Sequence, residues 1–189
     1  MYEYEFNGLK LKTGDIICTQ NGDGTLAAGQ IWWLLGKLIP GEIDHIVIYT
    51  GPGPKCIEAA AKFKVVEFDL EGKKWDANSM KDQRGLIFDT LIGAAYPMKS
   101  HAPPPGKTEE EVRAGVAEYC RAQLGKPYNI NFLDSETEDK FYCSQLAWAA
   151  YKSQGIDLRT DIGIPELPGT ATIIFPQELW NGNENQRAG

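Results

Sequence analysis

His45-Ile46-Val47-Ile48-Tyr49-Thr50, then Gly51-Pro52-Gly53-Pro54, then Cys56-Ile57-Glu58-Ala59 reads as two strands folded about one turn. The first run is β-branched and aromatic on both alternations, the pattern of a central strand covered on both faces. The second run returns antiparallel to it. Reflection about the Thr50–Gly53 turn sets Glu58 opposite His45, with Cβ atoms about 5 Å apart on one face. A turn centred one residue later puts Ala60 opposite His45 and leaves Glu58 on the diagonal, still on the same face.

Further elements extend from this hairpin in both directions. Upstream, Gly14-Asp15 introduces the short strand Ile16-Ile17-Cys18, which Asn21-Gly22-Asp23-Gly24 closes. Residues 26–38 carry Ile31, Leu34, Leu35 and Leu38 at helical spacing, and Pro40-Gly41 ends them. Trp32 and Trp33 flank that stripe as core or helix-packing surface, with a lipid- or substrate-contacting wall as the alternative. Downstream, Lys64 to Leu70 alternates as a third strand, and Gly85-Leu86-Ile87-Phe88 offers a fourth. Residues 97–107 form a Pro-rich loop in which His101 is a solvated residue.

Thr108-Glu109-Glu110-Glu111 is a capping box, and Val112, Val116, Tyr119, Cys120 and Leu124 then fall on one helical face. A second helix is expected to begin near Cys143 and run to about Lys152, with Gly155 beyond its end. Thr172-Ile173-Ile174-Phe175 is a last strand candidate.

Composition narrows the function classes. A chain of 189 residues, 42% hydrophobic, has the size and apolar content of one domain, read as residues 1–189. The formal charge of -7, with no basic stripe, argues against a nucleic-acid or anionic-membrane surface. No stretch has the apolar length of a membrane span. The acidic start Met1-Tyr2-Glu3-Tyr4-Glu5 does not resemble a secretory signal, so a cytoplasmic chain is expected. Four cysteines without a C-x-x-C pair suggest neither a disulfide framework nor a zinc ribbon. With only His45 and His101 available, neither a metal site nor another cofactor is expected.

Residue chemistry then points to nucleophilic catalysis. A cysteine in the first turn of a helix meets free backbone N–H groups and the positive end of the helix dipole, which stabilise thiolate. The same N–H groups can bind an oxygen that becomes negative during attack on a carbonyl. Cys143 holds that place. A thiolate needs an imidazole as ion-pair partner and proton donor, and His45, on a buried strand, suits this better than His101. Glu58 is placed to orient the imidazole.

Several segments together carry a family resemblance: Gly14-Asp15-Ile16-Ile17, Asp44-His45-Ile46-Val47-Ile48-Tyr49-Thr50-Gly51, Cys56-Ile57-Glu58-Ala59, Gly125-Lys126-Pro127-Tyr128 and Phe141-Tyr142-Cys143-Ser144-Gln145-Leu146. In order and content they resemble the circularly permuted, NlpC-type papain-like hydrolases of the YiiX/YebB kind, in which the His strand precedes the Cys helix. The similarity spans about residues 11–180. It implies an α+β fold, a permuted papain-like antiparallel sheet or barrel with the nucleophile helix packed against it. It also implies that Cys143 is the nucleophile, His45 the base and Glu58 the third polar residue.

Two departures from the family pattern bear on substrate. Asp44 stands where a small residue is expected, and the segment carrying Trp32 and Trp33 is unusually apolar. These three and Tyr128, which matches a family position, are the candidate substrate-binding residues. The leading expectation is a cysteine peptidase or amidase that acts on a small peptide, amide or acyl substrate through a thioester. The alternatives are a lipid-directed acyltransferase or amidase, and a binding module with an inert thiol.

Overall fold

A computed structural model describes residues 1–21, 41–160 and 169–189. The helix expected over residues 26–38, with Trp32 and Trp33, lies outside the described residues.

Two strands, β1 (Glu3–Phe6) and β2 (Leu9–Lys12), form a separate antiparallel hairpin. The main sheet holds β3 (Ile16–Asn21), β4 (His45–Tyr49), β5 (Lys55–Ala59), β6 (Val65–Asp69), β7 (Asp89–Tyr96) and β8 (Glu184–Arg187). Their order is β6-β5-β4-β3-β7-β8, and every pair is antiparallel. The sheet is open rather than closed into a barrel: its two outer strands are β6 and β8, and β8 is exposed along its whole length.

The β4 run is apolar on both alternations because both faces are covered. Ile46 and Ile48 join a core with Val112, Val116, Leu146 and Trp148. Val47 and Tyr49 join a second core with Phe6, Leu9, Leu11 and Phe68. The helices therefore cover one face and the small hairpin covers the other. This division explains why a half-polar alternation is missing from β4.

Two helices supply the first core, α3 (Glu109–Ala122) and α4 (Cys143–Ser153); α1 (Lys81–Arg84), α2 (Pro97–Ser100) and α5 (Pro176–Asn181) are short. The expected capping box forms at the start of α3. The Glu111 N–H donates to Thr108 Oγ1 at 3.2 Å, and the Thr108 N–H donates to Glu111 Oε2 at 2.7 Å. Val112, Val116 and Cys120 are buried as the periodicity predicts, whereas Leu124 lies past the helix end and is exposed. Arg113 ties α3 to the turn before β3 by donating to Asp15 Oδ1 and the Thr13 carbonyl, both at 2.8 Å. Asp15 also accepts from the Lys12 N–H at 2.7 Å, which fits a turn-forming role.

In α4 every residue from Cys143 to Tyr151 is buried. Leu146→Ala should therefore cost about 3 kcal/mol of folding stability through lost burial and the cavity left behind. Chemical denaturation checks this; a loss within the noise would mean that the α4 face does not hold the domain together.

Two strand expectations change. Residues 85–88 do not form a strand: the Ile87 N–H turns back to the Gly85 carbonyl at 2.9 Å, and pairing begins at Asp89. At 172–175 a 3-10 turn, Thr170–Thr172, precedes extended residues whose backbone is taken by side chains. The Ile174 N–H donates to the Tyr142 hydroxyl at 3.0 Å, and Ser144 Oγ donates to the Ile174 carbonyl at 2.6 Å. Strand pairing is replaced there by a staple onto α4.

Candidate active site

The β4–β5 register places the first two candidate residues. Ile48 pairs with Ile57 and Tyr49 with Cys56, so Ala60 falls opposite His45 and Glu58 on its diagonal. This is the later-centred turn, one residue beyond the simplest reflection. The connection is longer than a two-residue hairpin: the Thr50 and Gly51 N–H groups both donate to the Lys55 carbonyl at 3.0 Å. Gly51 sits at φ +56° with Tyr2 packed where a Cβ would be, so only glycine fits.

The diagonal still brings the pair together. His45 Nε2 lies 2.8 Å from Glu58 Oε2, with His45 2% and Glu58 0% exposed. That bond uses Nε2 and leaves Nδ1 for the remaining partner. The Cys143 sulfur lies close enough to the His45 ring to act on its charge. Cys143 begins α4, which packs on β4 and β5. Three candidate residues therefore follow one another: sulfur, imidazole, carboxylate.

Cys143 is held by groups on both sides of it. Gln145 Oε1 accepts from the Tyr142 N–H at 3.2 Å and from Asn129 Nδ2 at 3.0 Å, while its Nε2 donates to the carbonyls of Ser135 and Thr137 at 3.0 and 2.9 Å. The first turn of α4 is thereby fastened to the 128–137 loop, and the Ile174 staple fastens its other side. Tyr128 lies on that loop, nearly buried, with its hydroxyl near Cys143. Asp44 is half-buried beside His45. Trp32 and Trp33 fall outside the described residues, and His101 is half-buried at the end of α2.

Sequence reading missed Arg84 and Asp89. Arg84, 0% exposed, donates from Nε to Glu58 Oε1 at 2.9 Å and from Nη2 to Glu58 Oε2 at 2.8 Å. It also donates to both oxygens of Asp89, at 2.8 and 2.9 Å. Asp89 accepts in addition from Thr19 Oγ1 at 2.8 Å and from Trp75 Nε1 at 3.3 Å. The guanidinium lies over Phe68 and Trp75, 4.9 and 4.7 Å from their ring centres. One signal was available: a carboxylate on a buried strand needs a cation. With 19 basic residues to choose from, that signal does not select Arg84.

These contacts set the charges. Burial alone would raise the Glu58 carboxyl; Arg84 and then His45 outweigh it and hold Glu58 down to about 2. Burial alone would lower the His45 imidazole; the Cys143 sulfur and then Glu58 outweigh it and raise His45 to about 10. Burial pushes the Cys18 and Cys56 thiols well up and the Cys120 thiol up to about 12. Among the described residues no group of three or more His, Cys, Asp or Glu converges to hold a metal ion, and no helix is long and apolar enough to cross a membrane.

The family described as "Permuted papain-like amidase enzyme, YaeF/YiiX, C92 family" matches residues 103–165, which include Tyr128 and Cys143. That match bears out the resemblance to the permuted papain-like hydrolases and supports a cysteine hydrolase in general terms. Among solved structures the chain is similar to one described as the metalloprotein yiiX from Escherichia coli O157:H7. The two share 16% sequence identity and a TM-score of 0.47, over 94% of this chain and 96% of that one. No curated protein matches the chain.

Proposed function

We propose that this protein is a cysteine amidase or peptidase that cleaves an amide bond through a thioester, with Cys143 as nucleophile, His45 as acid and base, and Glu58 as the residue that orients His45. The observation that carries this reading is the buried line from the α4 start through His45 to Glu58, closed by the 2.8 Å contact. In the first step the Cys143 thiolate forms a bond to the carbonyl carbon, and the oxygen takes the negative charge. The N–H of Cys143, at the start of α4, and the Tyr128 hydroxyl near it would receive that oxygen. His45 then gives its proton to the nitrogen, the C–N bond breaks and the amine leaves. Water attacks the thioester with its proton passing to His45, the acid departs and the thiolate returns.

Thiol reactivity tests the nucleophile. All four cysteines are buried, so exposure does not separate them, but Cys143 alone has an imidazole neighbour and a helix start. Limited iodoacetamide treatment of the folded protein should modify Cys143 first. Modification of Cys18, Cys56 or Cys120 ahead of it would sink the assignment. Glu58→Gln should slow acylation by roughly ten- to a hundredfold, less than loss of either member of the pair it supports. Unchanged kinetics would demote Glu58 to a structural carboxylate.

A second reading, in which the acyl group is a lipid chain, rests on a different observation. The loop that Gln145 fastens to the nucleophile helix exposes Ile130 (67%) and Leu133 (59%). Parallel assays of a peptide amide and a long-chain N-acyl amide separate the two readings.

A further inference from the structure

Glu58 and Asp89 are both buried, and both place their oxygens on Arg84. Two carboxylates without water cannot both stay ionised unless a cation shares the site. Both Glu58 oxygens are held by the Arg84 fork, and one of them, Oε2, also meets His45 Nε2. Rotation of the carboxylate would break the imidazole contact together with two charge-assisted bonds. The chain therefore continues behind Glu58 as Arg84, Asp89 and Thr19, drawing on α1, β7 and β3.

Resting on the cysteine-hydrolase reading above, we propose that Arg84 is a positioning residue for the reaction: its fork fixes the Glu58 oxygen that aims His45, and its charge balances Glu58 and Asp89 so that the Cys143 thiolate can persist. Removing the cation disfavours thiolate by either route open to the cluster. If Glu58 takes up a proton, the imidazolium loses its partner and the thiolate its neighbour. If both carboxylates stay ionised, the site gains uncompensated negative charge and the thiol holds its proton longer. Asp89→Asn does the opposite, because it leaves Arg84 with one carboxylate to neutralise.

Among the described residues, Asp44 adjoins His45, and Cys18 on β3, Cys56 on β5, Tyr128 and Tyr142 also lie around this cluster. Burial raises each of these thiols and phenols above its ordinary range, so none of them titrates where the thiolate–imidazolium pair forms.

The test is a pH titration of protein labelled with 13C at the cysteine β-carbon, whose chemical shift reports thiol ionisation without needing a reagent to reach a buried sulfur. Arg84→Met should raise the Cys143 midpoint by about one unit. Asp89→Asn should lower it, and Arg84→Lys, which keeps the charge but loses the fork, should raise it by less than Arg84→Met does. A midpoint unmoved in Arg84→Met, with only the melting temperature reduced, makes Arg84 a scaffold residue and overturns the proposal; so does an equal shift in Arg84→Lys. If Arg84→Met does not fold, the isosteric Asp89→Asn decides by itself: a lowered midpoint supports the proposal and an unmoved one overturns it. The titration reads the thiol whether or not the chain turns over any amide. Absence of acylation would end the hydrolase reading without altering the answer on Arg84.

Discussion

His45→Ala is expected to lower acylation of Cys143 by an amide-mimicking covalent probe roughly a thousandfold, and Cys143→Ala to abolish it. The size follows from what the imidazole supplies. On the proposed mechanism it is the positive neighbour of the thiolate and the proton donor without which the amine cannot leave. In the wild type the rate should rise as the thiol of the coupled pair ionises and fall as the imidazolium is lost on approach to about pH 10. The two limbs belong to the pair rather than to either residue. His45→Ala should erase the alkaline limb. A variant that keeps the bell-shaped profile and most of its rate would rule His45 out as the acid and base.

Stability should carry the same charges in its pH dependence. His45 is raised in the folded protein from 6.5 to about 10, so its contribution is complete below about 6.5 and drains away as pH rises through about 10. Glu58 is held at about 2 against an ordinary 4.5, so its contribution is complete above 4.5 and is lost as pH falls through about 2. The melting temperature should therefore be highest between about 4.5 and 6.5, and fall on the order of 5 °C or more toward pH 10. Cys143→Ala should flatten the alkaline side, because the sulfur outranks Glu58 among the influences that raise His45. A melting temperature that stays level from pH 6.5 to 10 would mean that His45 is neutral in the resting protein.

The parts of this site legible in the sequence are those governed by local rules. The α3 cap, the α4 start at Cys143 and the β4 run each follow from a few neighbouring residues, and the structure forms each where it was expected. Register was harder, since the length of the turn after Tyr49 is set by the Lys55 carbonyl receiving two N–H groups rather than one. The shift left His45 and Glu58 together only because a diagonal step keeps the face. Ile173-Ile174-Phe175 has the composition of a strand, but its backbone partners are side chains some 30 positions earlier, which local propensity does not see. Arg84 was the least legible. Between Lys81, Asp82 and Gly85 it looks like one more surface charge, and only the folded sheet gives it two buried carboxylates.

The two cores separated by β4 have a further consequence for the life of the chain before it is fully folded. Cys143 belongs to the helix-covered core, whereas Arg84 lies over Phe68 and Trp75 on the hairpin-covered side, with His45 at the strand end between them. Neither half contains the whole line. A chain emerging from synthesis, or one opened locally by heat, with either half still molten has a thiol without its imidazole or an imidazole without its carboxylate. Hydrogen exchange and thiol reactivity should therefore give up protection together, as one cooperative unit. On the proposed mechanism the sulfur is activated only once both halves have closed, so an immature chain should be chemically quiet toward its neighbours.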